Sequence, residues 1–144
     1  MASSRHLGRV IVMQTIFAQE FHGGDPEAIL EYITREFESR VSDLSFAYEL
    51  LNGVLAHLEE SRKLIQKYAP QWPIDKIAPL DRAILEVGIF EVMHAKDVPP
   101  VVAVDEAIEL AKSFGNENSK KFINGVLNAV LENRGTSPRV GEKN

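Results

Sequence analysis

Leu51-Asn52-Gly53-Val54-Leu55 returns seventy-two positions later as Ile123-Asn124-Gly125-Val126-Leu127. A second match runs ahead of it. Arg9-Val10-Ile11 followed by Ile16-Phe17 is echoed, seventy-three positions on, by Arg82-Ala83-Ile84 followed by Ile89-Phe90. Two separate apolar segments agreeing at nearly one offset indicate an internal duplication. Glycine inside a helical pattern costs roughly 1 kcal/mol against alanine, so its double occurrence asks for a reason. One reason is that each glycine lets another helix cross at close range; the alternative is a chance Asn-Gly in a helix-rich chain.

Working outward from these segments, the apolar spacing is helical and no convincing strand run occurs. A first helix, near Ser3 to Phe21, places Leu7, Val10, Ile11, Gln14, Phe17 and Phe21 on one face. Gly23-Gly24 stops it, and Asp25-Pro26 opens a second as cap and first-turn proline, carrying Ile29, Leu30, Ile33 and Phe37. A single longer helix is expected from Asp43 to Tyr68, with Ala47, Leu51, Val54, Leu55, Leu58 and Ile65 inward. Pro70, Pro73 and Pro79 then interrupt the chain around Trp72, because proline within a helix removes a donor and clashes with the preceding turn. Leu80 to Ala95 is apolar nearly all round, the mark of a helix buried between neighbours. Pro99-Pro100 precedes a helix ending at Phe114-Gly115, and a last helix spans Asn118 to Asn133.

The expected fold is therefore all-α, with about seven helices in two pseudo-repeated three-helix bundles joined by a Pro-rich linker. Residues 1–134 form one domain in this reading, with halves at 1–69 and 80–134, a linker at 70–79, and a disordered tail over 135–144.

The chain has 144 residues, 44% of them hydrophobic and 26% charged, which suits a globular domain with a real core. No apolar run is long enough to span a bilayer, and Met1 to Gly8 lacks a signal peptide's apolar stretch. The absence of cysteine rules out disulfides, cysteine–zinc sites and thiol nucleophiles. A cytoplasmic protein is the expectation, without membrane association. The net charge of −5 argues against non-specific coating of nucleic acid. That charge is uneven: residues 1–21 carry Arg5 and Arg9 against Glu20, and residues 115–144 carry five Lys and Arg against three Glu.

A catalytic constellation is not found. His6, His22, His57 and His94 are scattered in sequence, and Glu91-x-x-His94 is only half of a di-iron pattern. Asp105, Glu106 and Glu109 stand at a helix start, where the dipole favours acids in any case. Neither a phosphate-binding glycine loop nor a nucleophile elbow occurs. Catalytic, cofactor and metal sites are expected to be absent. Polar residues without an obvious structural cause are more informative. Arg5 and Arg9, four apart, share one face of the first helix. Asn118-Ser119-Lys120-Lys121-Phe122 combines a helix start, polar donors and two lysines, and such a corner can hold a phosphate. Equally, Asn118 or Ser119 could simply cap the helix.

From Trp72 onward the residues fall into a known pattern. Trp72-Pro73-Ile74, Asp81-Arg82-Ala83-Ile84-Leu85, Glu91 and Val98-Pro99 are followed by Val102-Ala103-Val104-Asp105-Glu106-Ala107. Ile108 to Gly115 and Ser119-x-Lys121-Phe122-Ile123-Asn124-Gly125-Val126-Leu127 complete it. The chain to about residue 133 resembles the NusB family of transcription antitermination factors; the N-terminal half matches more loosely, through Arg9 and Gln14-x-x-Phe17.

The resemblance implies a fold of two three-helix bundles. It also implies that the protein binds boxA single-stranded RNA together with NusE, a ribosomal small-subunit protein. Such a complex supports ribosomal RNA transcription by RNA polymerase, which this protein would meet only indirectly. The implied RNA surface comprises Arg5, Arg9, Tyr68, Asn118, Ser119, Lys120, Lys121 and Phe122. The implied partner surface comprises Phe17, Asp75 and Asp81, whose acids suit a basic partner. The family's dense N-terminal arginine cluster is reduced here to Arg5, His6 and Arg9. Fewer phosphate contacts imply a weaker electrostatic contribution, with the partner supplying more of the binding. Two further readings compete: the RNA-binding module that precedes the catalytic domain of a ribosomal RNA cytosine methyltransferase, and a helical homodimer or larger homo-oligomer with weak RNA binding. The methyltransferase continues into a catalytic domain where this chain stops, so the module alone would carry no activity.

Overall fold

Ser3 starts the first helix by accepting a hydrogen bond from His6 N at 3.0 Å, which satisfies one of the free donors at a helix N-terminus. The computed structural model describes residues 3–37 and 44–134. α1 spans Ser4–His22 and ends on Gly23, whose φ of 70° is a left-handed conformation suited to glycine. Asp25 caps α2 (Pro26–Thr34) by accepting from Ala28 N. α3 is Ser45–Ala56, α4 Leu58–Tyr68, α5 Pro79–His94, α6 Pro100–Phe114 and α7 Glu117–Asn133. Single 3-10 turns lie at Arg35–Phe37 and Ile74–Lys76. Among the described residues all regular structure is helical, and no helix is long and apolar enough to cross a membrane. The expected start near Asp43 and the expected tail over 135–144 lie outside the described residues.

α5 is the axis of the molecule. Ile84, Leu85 and Ile89 have no exposure, and Ala83, Val87 and Val92 almost none. Each such Leu or Ile contributes roughly 1.5–3 kcal/mol through burial. α1, α3, α4, α6 and α7 all pack on it. Ion pairs fix the direction of α1 against it: Arg5 meets Asp97, Arg9 meets Glu91, and Glu20 meets Arg82. As one number rises the other falls, so the two helices run antiparallel.

Three expectations need correction. The long helix from Asp43 to Tyr68 is broken at His57, whose φ of −118° and ψ of 20° leave the helical region. His57 N donates to Val54 O rather than to Gly53 O, while the His57 ring Nδ1 donates to Gly53 O at 2.9 Å. The side chain takes over the carbonyl that the continuing helix would have used. The first helix is also more deeply enclosed than a one-sided stripe. Its residues from Leu7 to Ile16 are buried apart from Gln14, whereas Phe21 is 59% exposed. α2, α3 and α5 cover it from several directions.

The third correction concerns the two glycines. A Cβ on Gly53 would fall 2.2 Å from Phe90 Cζ, so α3 does meet α5 where a side chain cannot fit. A Cβ on Gly125 would meet nothing within 4 Å, and that residue is exposed. The repeated Asn-Gly marks a close crossing in one copy only.

Candidate nucleic-acid and partner interface

The connection between α4 and α5 is held by side chains from both helices. Gln66 donates to Trp72 O at 2.6 Å and accepts from Ile74 N at 3.0 Å. Arg82 donates to Ile74 O at 2.8 Å and to Glu20 at 2.5 Å. Trp72, 49% exposed, is thereby presented on a pinned backbone. It joins Lys76, Asp81, Asn118, Ser119 and Phe122 around a cleft of about 280 Å³ where α5 and α7 begin.

This cleft unites parts of two surfaces that were expected separately. Asn118, Ser119 and Phe122 belong to the expected RNA surface, and Asp81 to the expected partner surface. Asp75 is exposed on the adjoining 3-10 turn. Phe17, half-buried, packs on Phe21 with ring centroids 5.0 Å apart. It lies one turn before Glu20, the partner of Arg82. The three expected partner residues thus gather at the end of the molecule where α5 starts. The helix start itself differs in detail from expectation: Asn116 caps α7 by accepting from Ser119 N at 2.8 Å. Asn118 is therefore not the cap and stands exposed, whereas Ser119 is buried. Lys120 pairs with Glu117 at 3.2 Å, and Lys121 is exposed.

The rest of the expected RNA surface is dispersed. Arg9 is corrected outright as a surface cation, since its exposure is 4%. Its Nε and terminal nitrogen donate to the two oxygens of Glu91 at 2.8 and 3.0 Å, and Glu106 lies 3.6 Å away. Burial pushes the Glu91 carboxyl up, against the lowering influence of Arg9. Arg5 is more open, stacked 4.6 Å above the Phe46 ring and bonded to Asp97 at 2.7 Å. That bond holds the Asp97 carboxyl below its ordinary range. Arg5 and Asp97 stand beyond the C-terminal end of α5, while the cleft sits at its N-terminal end. With 16 residues, α5 separates them by about 24 Å at the helical rise of ~1.5 Å per residue. A cleft gathering Arg5 and Arg9 with Lys120 and Lys121 is not formed.

Tyr68, half-buried, lines a groove of about 470 Å³ between α4 and α7 with Lys63, Lys67 and Arg134; the far end of that groove carries Glu59 and Glu60 at the start of α4. Lys67 Nζ lies 5.3 Å from the ring centroid. A ring flanked by cations is the combination that binds single-stranded nucleic acid by stacking and charge. Sequence reasoning did not place Trp72, Lys63 or Lys67 in a site. A lone tryptophan among prolines was the available signal for the first. The two lysines on the polar side of an amphipathic helix gave none.

The chain matches the NusB family over residues 6–132. A relative from Dehalococcoides mccartyi (strain CBDB1), "Transcription antitermination protein NusB", is 38% identical over 130 residues, 90% of this chain and 91% of the relative. Among solved structures, T. maritima NusB superposes with a TM-score of 0.81 at 33% identity, covering 92% of this chain and 93% of that one. The NusB chain of a crystal structure of antitermination factors NusB and NusE in complex with dsRNA superposes with a TM-score of 0.81 at 24% identity. That alignment covers 92% of this chain and 98% of the other, and supports the shared fold alone.

Proposed function

Because this chain belongs to the NusB family of non-enzymatic transcription antitermination factors, we propose that it binds boxA RNA together with NusE in support of ribosomal RNA transcription. The observation that carries this reading is the cleft at the start of α5 and α7. There Asn118, Ser119 and Phe122 share a wall with Asp81 and Trp72. Two ligands meeting on one small surface can touch each other as well as the protein, so each raises the other's affinity by the same factor. Trp72 is the anchor for the partner: exposed aromatic residues on a pinned backbone are the side chains on which binding energy concentrates. Asp75 and Asp81 add an acidic rim that steers a basic partner. RNA leaves the cleft past Lys121 and reaches Tyr68 in the neighbouring groove. Arg5 is a separate, weaker contact, and Arg9 serves as an internal tie between α1 and α5.

Residues 1–134 act as one domain in this proposal, its halves joined at 70–79, in the cytoplasm and linked to RNA polymerase through the bound RNA. The test is a surface plasmon resonance measurement of NusE on Trp72→Ala and Asp81→Lys. Trp72→Ala should weaken binding by about 2 kcal/mol, chiefly through faster dissociation. Asp81→Lys should slow association, more so at low salt. Unchanged rates in both variants would remove the partner from this cleft.

A further inference from the structure

The structure assigns a transition-metal site of the zinc class to His57, Glu60 and His94, at the break between α3 and α4 and the end of α5. Scattered in sequence, these residues meet because the chain bends at His57 and lays the start of α4 against the last turn of α5. One ligand atom from each lies within 4.8 Å of the other two. His94 Nε2 stands 2.6 Å from Glu60 Oε1, and the two imidazoles, tilted by 31° to each other, have centroids 4.1 Å apart.

The tautomer of His57 is set for coordination. Its Nδ1 faces a carbonyl, Gly53 O, at 2.9 Å, and a carbonyl can only accept, so Nδ1 carries the proton. That leaves Nε2 with its lone pair available. A ring N–H donated to a backbone carbonyl is the usual outer support of a metal-bound histidine. Phe90 walls the site with its ring 5.3 Å from His57 and 5.8 Å from His94, and the same ring fills the space over Gly53.

Zn²⁺ takes imidazole nitrogen and carboxylate oxygen at about 2.0–2.2 Å. The Glu60–His94 contact must therefore open slightly as the cation replaces the shared proton. Both side chains are partly exposed, His94 at 28% and Glu60 at 41%, so neither is locked by packing. Two imidazoles and one carboxylate suit zinc, nickel, cobalt or copper rather than magnesium or calcium, which prefer all-oxygen sets. Three protein ligands leave a position for water. Bound metal would cross-link the α3–α4 break to α5 and stabilise the fold by mass action.

The test is calorimetric titration of the whole chain with Zn²⁺ alone, accompanied by nitrogen-15 imidazole NMR of the unaltered protein. One saturable site is expected, with the largest shifts at the His57 and His94 rings and no heat from Mg²⁺. Glu60→Gln and His94→Asn should each weaken binding at least tenfold, while His22→Asn should leave it unchanged. No saturation below about 1 mM Zn²⁺ would overturn the assignment, as would shifts centred on His6 or His22. The NMR arm uses no variant, so it decides the matter even where a substitution disturbs folding.

Discussion

Arg9 and Glu91 show how a side chain's neighbours decide its role. On a helical wheel Arg9 is a cation on the face of Arg5; in the fold it is enclosed and bonded through two nitrogens to a carboxylate that is itself 1% exposed. Removing one member of a buried pair strands the other charge. Arg9→Ala should therefore destabilise the protein by roughly 3–5 kcal/mol, measured by urea unfolding. Glu86 offers the complementary pH test. It too is 1% exposed, bonded to Arg62 at 2.9 Å, and its carboxyl is raised by burial in spite of that bond. A carboxyl whose folded value exceeds its unfolded value binds more protons in the native state across the interval between them. Stability then falls as pH rises through that interval. Glu86→Gln removes this dependence. Relative to that variant, the unaltered protein should lose stability as pH is raised above the ordinary carboxyl range. Urea melts at four pH values would show it; parallel curves would refute it.

At the scale of the helix, the duplicated Asn-Gly gives paired substitutions of opposite sign. An added methyl at Gly53 collides with Phe90, and overpacking of this kind costs roughly 1–3 kcal/mol. At Gly125 the same methyl meets open space in the exposed middle of α7, so Gly125→Ala should stabilise by about 0.5–1 kcal/mol. Thermal melts of the two variants test both signs at once. These helices were largely legible beforehand, because caps and prolines act locally: Ser3, Asp25 and Pro79 stand at or within a residue of where their helices begin. The break at His57 was not legible. It depends on an imidazole reaching back to Gly53 O, and nothing in the apolar spacing of Leu51, Leu55 and Leu58 records that bond. Nor could spacing tell that Gly53 faces a ring and Gly125 faces solvent.

Across the whole molecule, the all-helical fold was readable, and so was the placing of Phe17, Asp75 and Asp81 toward one end of α5, while the expected grouping of the cations was not. Phe17, Asp75 and Asp81 converge because α1 runs antiparallel to α5, and the connection is tied back by Gln66 and Arg82. The cations did not converge, since pairing with Asp97, Glu91 and Glu117 is a property of the packed helices rather than of local charge. Of the two arginines, only Arg5 can contribute a phosphate contact from the surface. Arg5→Ala should flatten the slope of log affinity against log salt by about 0.7, the share of one phosphate contact in single-stranded RNA. An unchanged slope would remove Arg5 from the RNA surface. The function proposed for this protein turns on RNA and partner sharing the cleft beside Trp72 and Asp81. Titration of fluorescent boxA RNA with this protein, in the presence and absence of NusE, puts that sharing to the test. Tighter boxA binding with NusE is expected, by the same factor by which boxA tightens NusE binding, and no comparable gain for an unrelated RNA. Equal boxA affinity with and without NusE would mean that the two ligands do not meet on this cleft.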